Sequence, residues 1–173
     1  MTRRTPGRIP GTASPAATPR IDYSGAVYGS LLAASVIVGA GTLGPFPRFE
    51  LVLLLLCTGG VFWAAHVYAR LFGAWVVDRQ PDWHGVRRVC ADERPIVEAV
   101  LPPAAAVAVS PLLGLGVQAT GWLALAVAVS GQVGWAAAAA VRAGASGRLT
   151  LATSLVNLFL GLVIVATKAA LGH

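Results

Sequence analysis

Between Ala99 and Val141 the chain runs for 43 residues without a charged side chain. A helix rises about 1.5 Å per residue, so about 20 apolar residues cross the hydrocarbon core of a bilayer. The run is therefore long enough for two crossings and too long for one. Three further uncharged stretches flank it. Such a chain must satisfy its backbone polar groups internally, which in lipid means helices packed on helices. The fold class this dictates is all-α, a polytopic membrane helix bundle.

Locating the turns fixes the number of helices. Residues 1–21 are rich in Pro, Thr, Ala, Gly and Arg, have almost nothing to bury, and read as a disordered basic cytoplasmic tail. Residues 22–173 form the membrane domain. The first apolar stretch starts too late and is too long for an ordinary cleaved leader, so it reads as an uncleaved span, Gly25 to Leu43, closed by Gly44-Pro45-Phe46-Pro47. Span two runs from Leu51 to Val76, and a polar connection follows from Val77 to Pro95. The long uncharged run folds back at Gly116-Val117-Gln118-Ala119-Thr120-Gly121. That gives span three over Ile96 to Leu115 and span four over Trp122 to Val141. A turn around Gly144 and Gly147 leads to span five, Leu149 to Leu171.

Charge then orients the bundle. With the N-terminus in the cytoplasm, Arg3, Arg4, Arg8, Arg20, Arg70, Arg79, Arg87, Arg88, Arg94, Arg142 and Arg148 all fall on the cytoplasmic side. Only Arg48 and Lys168 of the 13 basic residues fall outside. The positive-inside rule thus predicts five spans, N-terminus in and C-terminus out. The net charge of +6 is spread among these loops, so it points to anionic lipid head groups rather than nucleic acid. Within the second connection, Trp83, Val86 and Cys90 recur at helical spacing with Arg87 and Arg88 turned away. This predicts a short interfacial helix; an ordinary polar loop with one interfacial Trp is the alternative. Cys57, inside a span, reads as a small packed side chain and Cys90 as a residue of the connection. No pair or cluster has metal-binding spacing.

Ionisable residues inside a bilayer are costly and are candidates for function. On span two, Gly59, Trp63, His66 and Arg70 follow one another at helical spacing and form one stripe. Glu98 lies just inside span three, which makes an Arg70–Glu98 pair plausible with His66 one turn deeper. Two meanings are open. His66 and Glu98 handle protons or substrate with Arg70 as an anion anchor, or Arg70 snorkels, Glu98 compensates it and His66 bonds within the bundle. A haem would need a second axial ligand, and His84, His173 and Met1 are badly placed for one, so no cofactor is expected. Gln132 and Asn157 lie near the middle of spans four and five, where amides hydrogen-bond neighbouring helices or line a polar cavity. Pro102, Pro103 and Pro111 should kink span three. Gly25 and Gly29 permit close helix approach, within the chain or in a dimer.

The segments Tyr28-Gly29-Ser30-Leu31-Leu32, Phe62-Trp63-Ala64-Ala65-His66-Val67-Tyr68-Ala69, Arg94-Pro95-Ile96-Val97-Glu98-Ala99 and Gly131-Gln132-Val133-Gly134-Trp135 resemble small, uncharacterised integral membrane proteins of actinobacteria. The resemblance implies a plasma-membrane location and no particular activity. It adds Tyr68 to His66, Glu98 and Gln132 as positions of interest. Three functions compete. One is a non-enzymatic accessory or structural component that packs with a membrane-protein partner or with itself. The second is a small transporter or channel subunit built on His66, Arg70 and Glu98. The third is a lipid-acting enzyme with His66 as base, the weakest because few acids and bases converge. Five spans with no internal repeat also weigh against a complete transporter in one chain.

Overall fold

The computed structural model describes residues 23–42, 47–76 and 82–171. The basic tail, the turn at Gly44 to Phe46 and the start of the second connection lie outside these. Helix α1 spans Ser24–Thr42 and α2 Arg48–Val76. The stretch from Trp83 to Leu113 is helical in pieces: α3 (Trp83–Asp92), which falls in the expected connection, then α4 (Arg94–Glu98), α5 (Leu101–Val109) and a 3-10 turn over Ser110–Leu113 in the third span. Helix α6 runs Val117–Arg142 and α7 Gly147–Leu171. Five helical segments are long and apolar enough to cross a membrane, the pattern of a multi-pass membrane protein.

Prolines dictate where the third span breaks. Pro95 follows the break after Asp92, and Pro102-Pro103 follow the one at Ala99 and Val100. Each stands in the first turn of a new helix, where its missing N–H removes no helical bond. Pro111 coincides with the 3-10 turn. The chain then reverses earlier than Gly116–Gly121. Gly114 takes φ 66°, left-handed backbone that suits a glycine, and Gly116 caps α6 in extended conformation. Val117 to Gly121 are already helical. Thr120, buried, donates both its backbone N–H and its hydroxyl to the Gly116 carbonyl, each at 2.9 Å, which satisfies the hydroxyl within its own helix.

Helices α1 and α6 form the centre. Helix α1 packs against α6, α4, α2 and α7, while α5 bridges α2 and α6. The core is small and aliphatic: Ala33, Ala34, Ile37, Leu55, Val107, Ala124, Leu125 and Ala128 are almost fully buried. Three glycines let packed helices approach closely. A Cβ on Gly29 would lie 2.6 Å from the carbonyl oxygen of Ile96, one on Gly59 3.0 Å from Val100, and one on Gly161 2.5 Å from Val129. The Gly25/Gly29 pair thus serves packing within the chain, with Ile96 of α4 seated across both.

The two ends of the bundle differ. At one end, the start of α1, the last turn of α6 and the start of α7 meet Arg70 and Asp92. At the other, Arg48 donates to the Leu115 carbonyl and to Thr120. Lys168 there lies 5.5 Å from the centre of the Trp122 ring, against Gly41 near the end of α1. Both cations of this end therefore sit on oxygen acceptors or an aromatic ring, which a positive charge favours.

Candidate functional site

Gly59, Trp63, His66 and Arg70 do share one stripe of α2, since residues three and four apart lie on one face. Its partners are not the expected ones. Gly59 admits Val100, the Trp63 indole N–H donates to the Cys90 carbonyl at 3.1 Å, and Arg70 bonds Glu93 at 2.7 Å. The expected Arg70–Glu98 pair does not form. Ile96, Ala99 and Val100 occupy the buried face, at 0–2 % exposure, because α4 must fit against Gly25 and Gly29. Glu98 follows Ile96 by about 200° around the helix and is turned out, exposed. Glu93, at the break before α4, takes the place; its side chain is 11 % exposed against 49 % for Arg70. The sequence carried a signal for this. Pro95 marks the first turn of a helix, which puts Glu93 at its cap rather than in a loop.

His66 is half-buried, with Nδ1 2.9 Å from the Phe62 carbonyl. A carbonyl only accepts, so Nδ1 carries the proton and donates. Tyr28 of α1 packs over this turn, 5.6 Å from the imidazole centre and 6.0 Å from that of Phe62. His66 is thus held by its own helix and an aromatic neighbour. Tyr68, two residues on, points elsewhere: it is exposed and stacks on Phe72, which in turn contacts Trp75. Cys57 is exposed on α2 rather than packed, and Cys90 is half-exposed in α3; both are free thiols.

The mid-helix amides meet. Gln132 Nε2 donates to the backbone oxygen of Asn157 at 3.0 Å and to its Oδ1 at 3.2 Å, and Asn157 Nδ2 donates to the Thr153 carbonyl at 3.0 Å. Gln132 is fully buried, and its Oε1 accepts no hydrogen bond among the described residues. The pair ties α6 to α7 close to the middle of both.

Asn157 also lies at one limit of a cleft of 1280 Å³ between α1, α6 and α7, which reaches Arg70, Asp92 and Arg142 at the charged end. Its wall on α6 is Ala136, Ala139, Ala140 and Ala143, spaced i, i+3, i+4, i+7 along one face. Four methyl groups cannot fill the space between α1 and α7, which is why the cleft exists. Arg142 lies 5.3 Å from the ring centre of Tyr23, which itself stacks on Trp135 at 5.7 Å. Among the described residues Arg142 has no carboxylate partner, and no three His, Cys, Asp or Glu side chains converge. In the sequence Arg142 stands out only as a topology signal, Tyr28 only as part of a resembling segment, and Tyr23, Asp92 and Glu93 not at all. The alanine run at 136–140 was the available sign of a groove. No family model, no curated protein and no solved structure matches this chain.

Proposed function

We propose that this chain is an accessory or structural component of the plasma membrane, inserted with its N-terminus in and C-terminus out. One observation carries the reading: the polar groups within the spans are engaged in packing rather than gathered at one point. Arg70 binds Glu93, Trp63 binds the Cys90 carbonyl, Gln132 binds Asn157 and His66 binds its own helix. A reaction centre needs acids, bases and electrophiles converging on one point; Trp63, His66 and Arg70 follow one stripe of α2 but each bonds a different group, and the Gln132–Asn157 bond lies apart between α6 and α7. The orientation follows from charge. Arg70 and Arg142 share an end with the arginines of α3, and Arg48 and Lys168 occupy the other. Asp82 caps α3 at the Gly85 N–H, 2.7 Å away, and Trp83 is exposed beside it, which supports a helix lying along the cytoplasmic interface. Kinship with small actinobacterial membrane proteins belongs to the same proposal.

Native mass spectrometry of the protein extracted gently from its own membrane tests the role. A second subunit at fixed stoichiometry is expected. A bare chain whose deletion abolishes uptake of a solute would overturn the reading. Reporters fused after His173 should be extracytoplasmic, and reporters within residues 82–94 cytoplasmic; the reverse pattern refutes the orientation. Transport is the second reading, favoured by the cleft and by the breaks in the third span, since interrupted helices line transporter cavities.

A further inference from the structure

The geometry points to the cleft between α1, α6 and α7 as the seat of one phospholipid with a zwitterionic, primary-amine head group, its phosphate on Arg142 and its amine on Asp92. This goes beyond the accessory role and does not depend on it. Three observations converge. First, the cleft is amphipathic: Arg142, Asp92 and Tyr23 stand at the charged end with the start of α7, the Ala136/Ala139/Ala140 wall of α6 and Leu31 of α1 give it an apolar side, and Thr153 and Asn157 of α7 mark its deeper limit. A solute soluble in water has no use for such a wall, whereas an acyl chain does. Second, its 1280 Å³ exceeds the roughly 300–1,000 Å³ of pockets that enclose a drug-sized molecule.

Third, of the three charged side chains that line the cleft, Arg70 is bonded to Glu93, and the other two are of opposite sign. Arg142 and Asp92 are both exposed and line the same cleft, and neither forms an ion pair among the described residues. A planar guanidinium suits a phosphate diester, and a carboxylate suits an ammonium that still carries hydrogens. Arg142 is also held in place by the Tyr23 ring, so less side-chain freedom is lost when it binds. An anionic head group without an amine would satisfy Arg142 and be repelled by Asp92. A quaternary ammonium would reach Asp92 with no hydrogen to donate.

The test titrates the full chain in detergent with phosphatidylethanolamine, phosphatidylglycerol or phosphatidylcholine of identical acyl chains, and counts bound lipid by native mass spectrometry. One phosphatidylethanolamine is expected to persist where the other two dissociate. Arg142→Gln should weaken it about tenfold, the effect of losing one charge-assisted contact. Asp92→Asn should erase the preference over phosphatidylglycerol. Arg87→Gln, an exposed arginine of α3 outside the cleft, should change nothing. Both cleft side chains are exposed, so the variants should melt with the wild type. Equal retention of the three lipids, indifference to both substitutions, or an equal loss with Arg87→Gln would overturn the proposal. So would displacement of the lipid by soluble phosphoethanolamine, which would hand the cleft to a solute and favour transport.

Discussion

Gly29→Ala adds one methyl group at the tightest backbone contact of the bundle. The new Cβ would lie 2.6 Å from the Ile96 carbonyl oxygen, 3.1 Å from Ala99 Cβ and 3.2 Å from Ile96 Cα. Two of these three atoms are backbone and cannot rotate away, so α1 and α4 must separate by some tenths of an ångström along their contact. Overpacking of this kind costs about 1–3 kcal/mol. It is partly offset because alanine is a better helix former than glycine by about 1 kcal/mol. A net loss of up to about 2 kcal/mol is expected, as much as roughly a 30-fold fall in the folded-to-unfolded ratio, and about 1–3 kcal/mol relative to a glycine-to-alanine change in open space. Gly39 and Gly60 are internal controls: a Cβ there meets nothing within 4 Å. Gly39→Ala and Gly60→Ala should keep or slightly raise stability. The assay is reversible unfolding of the purified protein by titration with a denaturing detergent, followed by helicity. If Gly29→Ala unfolds at the same point as Gly39→Ala, the α1–α4 contact is not where the structure puts it, and the glycine pair serves a partner instead.

Other consequences can be measured the same way. Arg70→Gln and Glu93→Gln should be coupled by about 0.5–1 kcal/mol in a double-mutant cycle, because a half-exposed arginine limits the gain, while Arg70→Gln with Glu98→Gln should be additive. Gln132→Met should cost less than about 1 kcal/mol, since interhelical amide bonds in membranes are weak and the change also removes the unpartnered Oε1. Asn157→Leu should cost more than Gln132→Met, because it leaves the buried Gln132 amide short of an acceptor; the opposite order would refute the bond direction. Cys57 should react with lipid-soluble thiol reagents and resist water-soluble ones, whereas Cys90 should react with both at a reduced rate; labelling of Cys57 from water would place α2 in the wrong environment.

The spans were legible because hydropathy and length act over about 20 residues, and single side chains hardly disturb them. Helix ends were legible to within a few residues where a glycine or proline decides them. Gly144, at φ 71°, closes the expected turn before α7. The reversal after the third span was read too late because Gln118 and Thr120 look like loop residues. Thr120 instead turns its hydroxyl back onto its own helix and also accepts from Arg48. The partner of Arg70 was read incorrectly for a different reason. The choice between Glu93 and Glu98 depends on the rotation of α4, and that rotation is set by two glycines some 70 residues earlier in the chain. No local pattern contains that information.

The same dependence explains why the amide pair and the cleft lie side by side. Helix α7 must approach α6 closely where Gly161 faces Val129, one turn from Asn157, and Gln132 bridges the two helices there. Toward Arg142 the α6 face is alanine at four successive contact positions, and the larger side chains of α1 and α7 across from it line the space without closing it. Close contact at the middle and small residues toward the end force the helices to leave a gap that widens toward the charges. Filling the wall tests this directly. Ala139→Leu should shrink the cleft and weaken any bound amphiphile while leaving the Gln132–Asn157 bond intact, because that bond lies about two turns away along α6. If Ala139→Leu instead destabilises the fold as strongly as Gly29→Ala, the alanines are packed against a neighbour rather than lining a space, and the cleft is closed in the folded protein.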